Sequence, residues 1–97
     1  MLHMVNKSPF QNNGLDSCLR FASEGDCILL MEDAAYGAAT GTAKEAMLVE
    51  ACKKFKVYAL SADVKARGIK NVIDGIEVTD YAGFVDLVDQ NKTHSWL

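Results

Sequence analysis

The sequence predicts an α/β fold, a three-layer sandwich built on a mostly parallel sheet of about four strands. Two patterns predict it: segments of strand and helix character alternate along the chain, and the run Cys27–Met31 is continuously apolar. A short apolar run bounded by turn residues is typical of a parallel strand covered on both faces. Regular alternation favours right-handed crossovers around one sheet. The 97 residues, 49% of them hydrophobic, suit one domain over 1–97 without internal repeats.

Four short segments rich in apolar residues are the predicted strands. They are Leu2–Val5, Cys27–Met31, Lys56–Leu60 and Ile76–Val78. The first ends in a segment dense in turn formers, residues 6–14, and the second is preceded by Glu24-Gly25-Asp26, where glycine supplies the permissive backbone that often ends a helix.

The helices are predicted from apolar spacing and capping residues. In the first, with Asn13 as N-cap, apolar residues recur at i, i+3, i+4 and i+7 and so share one face: Leu15, Cys18, Leu19 and Ala22. Further helices are expected over residues 34–38 with Asp33 as cap, over 43–55, over 62–67 with Ser61 as cap, and from Tyr81 with Thr79 or Asp80 as cap.

Charge and composition exclude several classes of function. The net charge is −3 and the ten Lys and Arg residues are scattered, so direct nucleic-acid binding is not expected. The one small cluster, Lys53-Lys54 with Lys56, is typical of a solvated helix end. No apolar run approaches the roughly 20 residues that span a bilayer, and no signal-peptide pattern opens the chain. We therefore expect a cytoplasmic protein without membrane contact, and three cysteines without framework spacing agree with reduced thiols there.

The three cysteines are the first candidates for chemistry. A thiolate is the reactive form, but Cys18 lies past the first helical turn and shares the apolar stripe, so the residues alone favour a buried thiol over a reactive one. Cys27, inside an apolar strand, is expected in the core. Cys52 beside Lys53 has a favourable electrostatic setting, yet no His or second Cys stands at motif spacing. Without a C-x-x-C pair, no dithiol redox motif or zinc knuckle is expected.

Polar residues elsewhere give weaker signals. Glu32 and Asp33 follow a strand at the edge where α/β sheets usually bind ligands, although capping and solvation explain them more simply. Residues 37–44, G-A-A-T-G-T-A-K, lack the glycine spacing and the Lys-Ser/Thr pair of a phosphate loop. A flavodoxin-like nucleotide-binding domain is disfavoured for the same reason.

Two histidines and the terminal aromatic residue complete the candidates. Neither His3 nor His94 has a carboxylate or cysteine at ligand spacing, so no metal site is expected. Trp96 and Leu97 place apolar groups at the end of the sequence. A subunit contact and packing onto the domain explain them equally well.

Several stretches together resemble one known family. They are L-H-M-V-N-K-S-P-F at 2–10, S-E-G-D and I-L-L within 23–30, K-V-Y-A-L at 56–60, A-R-G at 66–68, D-Y-A-G-F-V-D-L at 80–87 and the final S-W-L. In this order and spacing they are similar to the TusB/DsrH family of sulfur-relay subunits. The resemblance covers essentially the whole chain.

The resemblance implies a small α/β subunit, with a DsrEFH-like (flavodoxin-like) fold, of a cytoplasmic heterohexamer called TusBCD or DsrEFH. Such complexes pass persulfide sulfur from thiol to thiol, toward tRNA wobble-uridine 2-thiolation in one version and in sulfur oxidation in the other. The implied partners are TusC and TusD or DsrE and DsrF, with donor and acceptor proteins such as TusA and TusE or DsrC. The principal acceptor cysteine belongs to a partner chain.

Two functions remain open from the sequence. DsrH-type chains carry a cysteine in the first helix, and Cys18 matches that position, which favours the DsrH branch and makes Cys18 the candidate sulfur acceptor. The mechanism would be attack by a thiolate on a persulfide sulfur, without metal or organic cofactor. The alternative is a scaffold subunit whose apolar surface completes the complex while partner cysteines carry all the sulfur.

Overall fold

Five parallel strands form the centre of the computed structural model, which describes residues 1–96. The strands are β1 (Leu2–Val5), β2 (Cys27–Leu30), β3 (Lys56–Leu60), β4 (Ile76–Thr79) and β5 (Thr93–Trp96), in the spatial order β4-β3-β2-β1-β5. The predicted α/β class with a parallel sheet is confirmed. The expected count of about four strands is corrected to five, because β5 also pairs with β1.

The register places β1 between β2 and β5. Leu2 lies opposite Cys27 on one side and opposite Thr93 on the other. All of β2 is buried, and Leu2 and Val5 of β1 are fully buried, as expected for strands covered on both faces. β5 is an edge strand with exposed residues at 93–95.

Helical segments connect the strands. They are α1 (Gly14–Phe21), a 3₁₀ helix (Glu32–Ala38), α2 (Glu45–Lys54), α3 (Ser61–Ala66) and α4 (Tyr81–Gln90). None of the helices in residues 1–96 has the length and apolar character needed to cross a membrane.

The predicted caps are partly wrong. Asp80 caps α4 as predicted, since its carboxylate accepts the Gly83 N–H at 2.8 Å. Asn13 makes no side-chain cap of α1; the preceding residue, Asn12, accepts the Gly14 N–H at 2.7 Å instead. Ser61 is the first residue of α3, and the 3₁₀ helix has no side-chain cap, so the predictions for Ser61 and Asp33 fail as well.

The order of the strands decides which face each helix covers. From β1 to β4 the chain steps across the sheet in one direction, and from β4 it returns over the whole sheet to β5. Right-handed crossovers in opposite directions lie on opposite faces. Consequently α1, α2, α3 and the 3₁₀ helix pack on one face, and α4 alone covers the other.

The two resulting cores are unequal. The larger contains buried residues from every element except α4 and β5, among them Leu15, Leu30, Leu48 and Val64. The smaller consists of buried Leu2, Cys27 and Leu29, with partly buried side chains packed against it: Met4, Met31, Tyr58, Phe84 and Leu87. The sheet face under α4 is therefore the less completely covered one.

Candidate functional site

Cys18, the predicted sulfur acceptor, lies inside the larger core. The helix α1 is amphipathic, as its apolar spacing predicts, and it turns Leu15 and Cys18 onto the sheet. The exposed fraction of Cys18 is 0%. No solvent path reaches the thiol in this conformation, so a second protein would meet it only if α1 moved away from the sheet.

The electrostatics at Cys18 also oppose reactivity. Burial, with a smaller effect from the negative charge of Asp26, raises the pKa of the Cys18 thiol to about 12. At pH 7 such a thiol is ionised in only on the order of one molecule in 10⁵. Because the thiolate is the nucleophile in sulfur transfer, Cys18 in this conformation is a neutral core side chain.

The other two thiols differ in exposure. Cys27 is 9% exposed and faces the smaller core, which agrees with its predicted core position. Cys52 in α2 is partly buried, and burial raises its pKa. The neighbouring Lys53 ammonium lies 2.9 Å from the Glu50 carboxylate, so part of its charge is already balanced. The favourable setting predicted for Cys52 is therefore weaker than the sequence suggests.

A buried polar network surrounds His3, a residue that the sequence presents only as a possible metal ligand. His3 is 0% exposed. Its Nε2 atom lies 2.9 Å from Oδ2 of Asp26, and its Nδ1 atom accepts the indole N–H of Trp96 at 3.1 Å. An indole nitrogen only donates, so Nδ1 carries no proton and Nε2 donates to Asp26. The network therefore joins β1, the residue before β2, and β5.

Asp26 is the charged member of this network. Its pKa is lowered to about 2, first by the hydrogen bond from His3, with further contributions from the Ser23 N–H and the ammonium group of Met1. The Asp26 side chain is only 17% exposed. A carboxylate with three donors in a partly buried position is stabilised in its ionised form.

Aromatic rings extend the network toward the surface. The Phe21 and His94 rings stack with centroids 5.8 Å apart, and the His94 and Trp96 centroids are 4.7 Å apart. Trp96 also packs against the larger core. Packing onto its own domain is thus confirmed for Trp96, while Leu97 lies outside the described residues. Phe21 remains 61% exposed.

Residues after β2 form an ion-pair cluster rather than an open binding site. Arg67 donates to Asp33 at 2.9 Å and to Asp63 at 3.4 Å. Asp63 also accepts the Glu32 N–H at 2.8 Å, and Glu32 holds a φ of 51°.

The stretch 37–44, which lacks the pattern of a phosphate loop, ends in Lys44, whose ammonium group lies 3.8 Å from the Asp16 carboxylate. Within residues 1–96, no three His, Cys, Asp or Glu side chains are grouped so as to hold a metal ion.

Comparisons with known proteins place this arrangement in a class and then in a family. The chain is an α/β protein with a parallel sheet, and its fold is similar to that in the crystal structure of ychN protein from E. coli, with a TM-score of 0.81, 20% identity and 97% of each chain covered. At this identity the likeness concerns the fold alone.

Sequence comparisons identify the family. Residues 7–94 match the family model described as DsrH like protein. Protein TusB of Shigella flexneri is 36% identical over 98 residues, covering 99% of this chain and 100% of the relative. Protein TusB of Escherichia coli K12 is 39% identical over 88 residues, covering 90% of each. The chain belongs to the DsrH/TusB family, as the resemblance predicted, and this membership supports its assignment as a sulfur-relay complex subunit.

Proposed function

We propose that the chain is the TusB-type subunit of a hetero-oligomeric sulfur-relay complex and that it contributes structure rather than a sulfur-carrying thiol. The alignment with TusB proteins over nearly the whole chain supports the type of complex. The complete burial of Cys18 is the observation that supports a structural role for this chain. The scaffold alternative is therefore preferred here over the reading in which Cys18 accepts sulfur.

The proposed partners follow from the family. TusC- and TusD-type subunits complete a cytoplasmic heterohexamer, a TusD-type cysteine accepts the sulfur, and TusA-type and TusE-type proteins act as donor and acceptor. The process we propose is 2-thiolation of the tRNA wobble uridine, since the curated relatives carry the TusB name. Sulfur oxidation with DsrE- and DsrF-type partners is the alternative, and the cysteine at position 18 is the feature that favours it.

Burial argues against Cys18 because of the chemistry of persulfide exchange. The acceptor thiolate attacks the outer sulfur of the donor persulfide, the donor leaves as a thiolate, and the acceptor becomes the persulfide. The attacking sulfur must be ionised and must reach the donor sulfur in line. Cys18 is a neutral thiol on the sheet-facing side of α1 and fulfils neither condition.

Intact-mass analysis tests the structural role. The co-purified complex is incubated with a persulfide-loaded TusA-type donor, using wild type, Cys18→Ala and the matched control Cys52→Ala. We expect one added sulfur atom on the TusD-type chain and none on this chain in all three complexes. A sulfur atom on this chain that disappears only in Cys18→Ala would overturn the proposal and make Cys18 a relay thiol.

A genetic experiment tests the process. In cells that lack their own TusB-type subunit, expression of this chain together with its cognate partners is expected to restore 2-thiouridine in tRNA hydrolysates, measured by mass spectrometry. Cys18→Ala is expected to restore it equally well. Restoration of thiosulfate or sulfide oxidation in a sulfur-oxidising host, without any effect on 2-thiouridine, would favour the alternative process.

A further inference from the structure

Helix α4 packs less completely than the other helices of the chain. None of its ten residues is buried, whereas α1, α2 and α3 each bury at least one side chain. Its inward contacts come from Phe84 and Leu87, which are only partly buried against the smaller core. A ten-residue helix is marginal on its own and owes its stability to tertiary packing. In the chain alone, α4 receives only part of that packing.

A second apolar stripe runs along α4 and faces solvent. Tyr81 is 70% exposed, Val85 43% and Val88 37%, and their i, i+4, i+7 spacing aligns them on one side of the helix. Phe84 is adjacent to this stripe, since its ring meets the Tyr81 ring edge-on at 5.7 Å. The exposed stripe is therefore continuous with the incompletely covered core beneath the helix.

The charge of this region is uniformly negative. Residues 71–91 contain no Lys or Arg but five carboxylates, Asp74, Glu77, Asp80, Asp86 and Asp89, all of them exposed. None of the five takes part in an ion pair with any of residues 1–96. The remaining eight acidic residues share the rest of the chain with all ten cations, since 13 − 5 = 8.

The position of two of these carboxylates opposes the helix itself. Asp86 and Asp89 lie in the last turns of α4, which has no basic residue in its last turn, whereas α1, α2 and α3 each have at least one. Negative charge near a helix C-terminus interacts unfavourably with the helix dipole. Where a helix departs from the preference for positive charge at its C-terminus, the departure is often explained by a function of that surface.

We infer that the α4 surface, defined as Tyr81, Val85, Val88, Asp86 and Asp89, binds a different subunit of the relay complex through an apolar patch flanked by lysine or arginine. This inference rests on the proposed function. Such a partner covers the valines and tyrosine and supplies the cations that residues 71–91 lack. A second copy of this chain does not fit face to face, because two α4 surfaces would oppose the carboxylates of residues 71–91, a segment without Lys or Arg.

A charge-reversal variant separates binding from folding. Asp89→Lys removes the unfavourable interaction with the helix dipole, so the melting temperature of the chain is expected to rise by about 3 °C. The same change places a cation against the partner's cations, so affinity for the co-purified TusC- and TusD-type subunits is expected to fall about tenfold at low salt. The matched control Glu24→Lys changes the net charge equally, at an exposed position after α1.

A second pair of variants tests the apolar stripe. Val88 and Val49 are equally exposed, at 37% and 38%, but Val49 lies on α2. Val88→Asp is expected to weaken binding of the TusC- and TusD-type subunits at least tenfold, and Val49→Asp to leave it unchanged. Affinities are measured by surface plasmon resonance at salt concentrations between 0.05 and 0.5 M. As the salt concentration rises, we expect the loss of affinity caused by Asp89→Lys to become smaller and the loss caused by Val88→Asp to persist.

The outcomes distinguish this inference from the proposed function. If the wild-type chain associates with the subunits but both α4 variants bind like their controls, the α4 inference is overturned and the proposed function stands. If the wild-type chain fails to associate at all, both are overturned. If the chain alone forms a dimer and the α4 variants are monomeric, the α4 surface binds a second copy of the chain, and the inference of a different subunit is wrong.

Discussion

Replacing Asp26 by Asn is expected to destabilise the protein measurably at neutral pH. The Asp26 carboxylate accepts hydrogen bonds from His3 and from the Ser23 N–H, and so fastens the residue before β2 to the centre of β1. Asparagine has nearly the shape of a protonated aspartic acid. The substitution therefore removes the negative charge while the side chain retains an oxygen that accepts the His3 proton.

The magnitude follows from the pKa of Asp26. That pKa is about 2 in the folded protein against 3.8 as the ordinary value. A depressed folded pKa contributes stability above the unfolded pKa, and this contribution is lost as pH falls through the folded pKa. The pKa of Asp26 is just under two units lower in the folded protein than in the unfolded chain. This difference adds about 2 kcal/mol to the free energy of unfolding at pH 7 and about half of that at pH 3.

Urea unfolding followed by tryptophan fluorescence measures this effect. We expect Asp26→Asn to unfold with a free energy about 2 kcal/mol smaller than wild type at pH 7, and the gap to narrow steadily between pH 5 and pH 3. Asp86→Asn, at an exposed carboxylate without an ion pair in residues 1–96, is the control and should change stability by less than about 0.5 kcal/mol. Equal stability of Asp26→Asn and wild type at pH 7, or a gap that stays constant with pH, would refute the reasoning.

Two further predictions concern Trp96 and Glu32. Trp96→Phe keeps an aromatic ring but removes the donor to His3 Nδ1, and the buried nitrogen left without a partner is expected to cost about 1–3 kcal/mol. Because Trp96 is the single tryptophan of the sequence, urea unfolding of this variant and of wild type is followed by far-ultraviolet circular dichroism, and unchanged stability would mean that the hydrogen bond contributes nothing. Glu32→Gly relieves a backbone held at a φ of 51° while retaining the N–H donated to Asp63, and is expected to stabilise the protein by about 1 kcal/mol; Glu24→Gly, at a position without positive φ, should give no gain.

The sequence predicts most of the sheet because its central strands have strong local signals. The all-apolar run at residues 27–31 and the segment 56–60 are β2 and β3 to within one residue. β5 is not among the predicted strands, because Thr93–Trp96 is a polar edge strand with a single apolar side chain, Trp96, packed on the core. Pairing with β1, more than 90 residues earlier, specifies it as a strand, and local propensity carries no such information.

The candidate site was predictable only in part for a similar reason. The helical spacing places Cys18 on the buried face of α1, and the structure agrees. The partners of His3 come from the parallel register, which brings the residue before Cys27 next to the start of β1. Asp26 and Trp96 are 23 and 93 positions away from His3, so no spacing motif reveals the network.

The position of β1 between β2 and β5 has a consequence for synthesis of the chain on the ribosome. The strands β1 to β4 become available in sequence, but the outer edge of β1 stays unpaired until residues 93–96 arrive. An unpaired strand edge is a template for another chain, and contacts between distant residues form slowly. A nascent chain lacking these residues therefore exposes one edge of a largely buried strand, and we expect shortened products to aggregate or to be degraded.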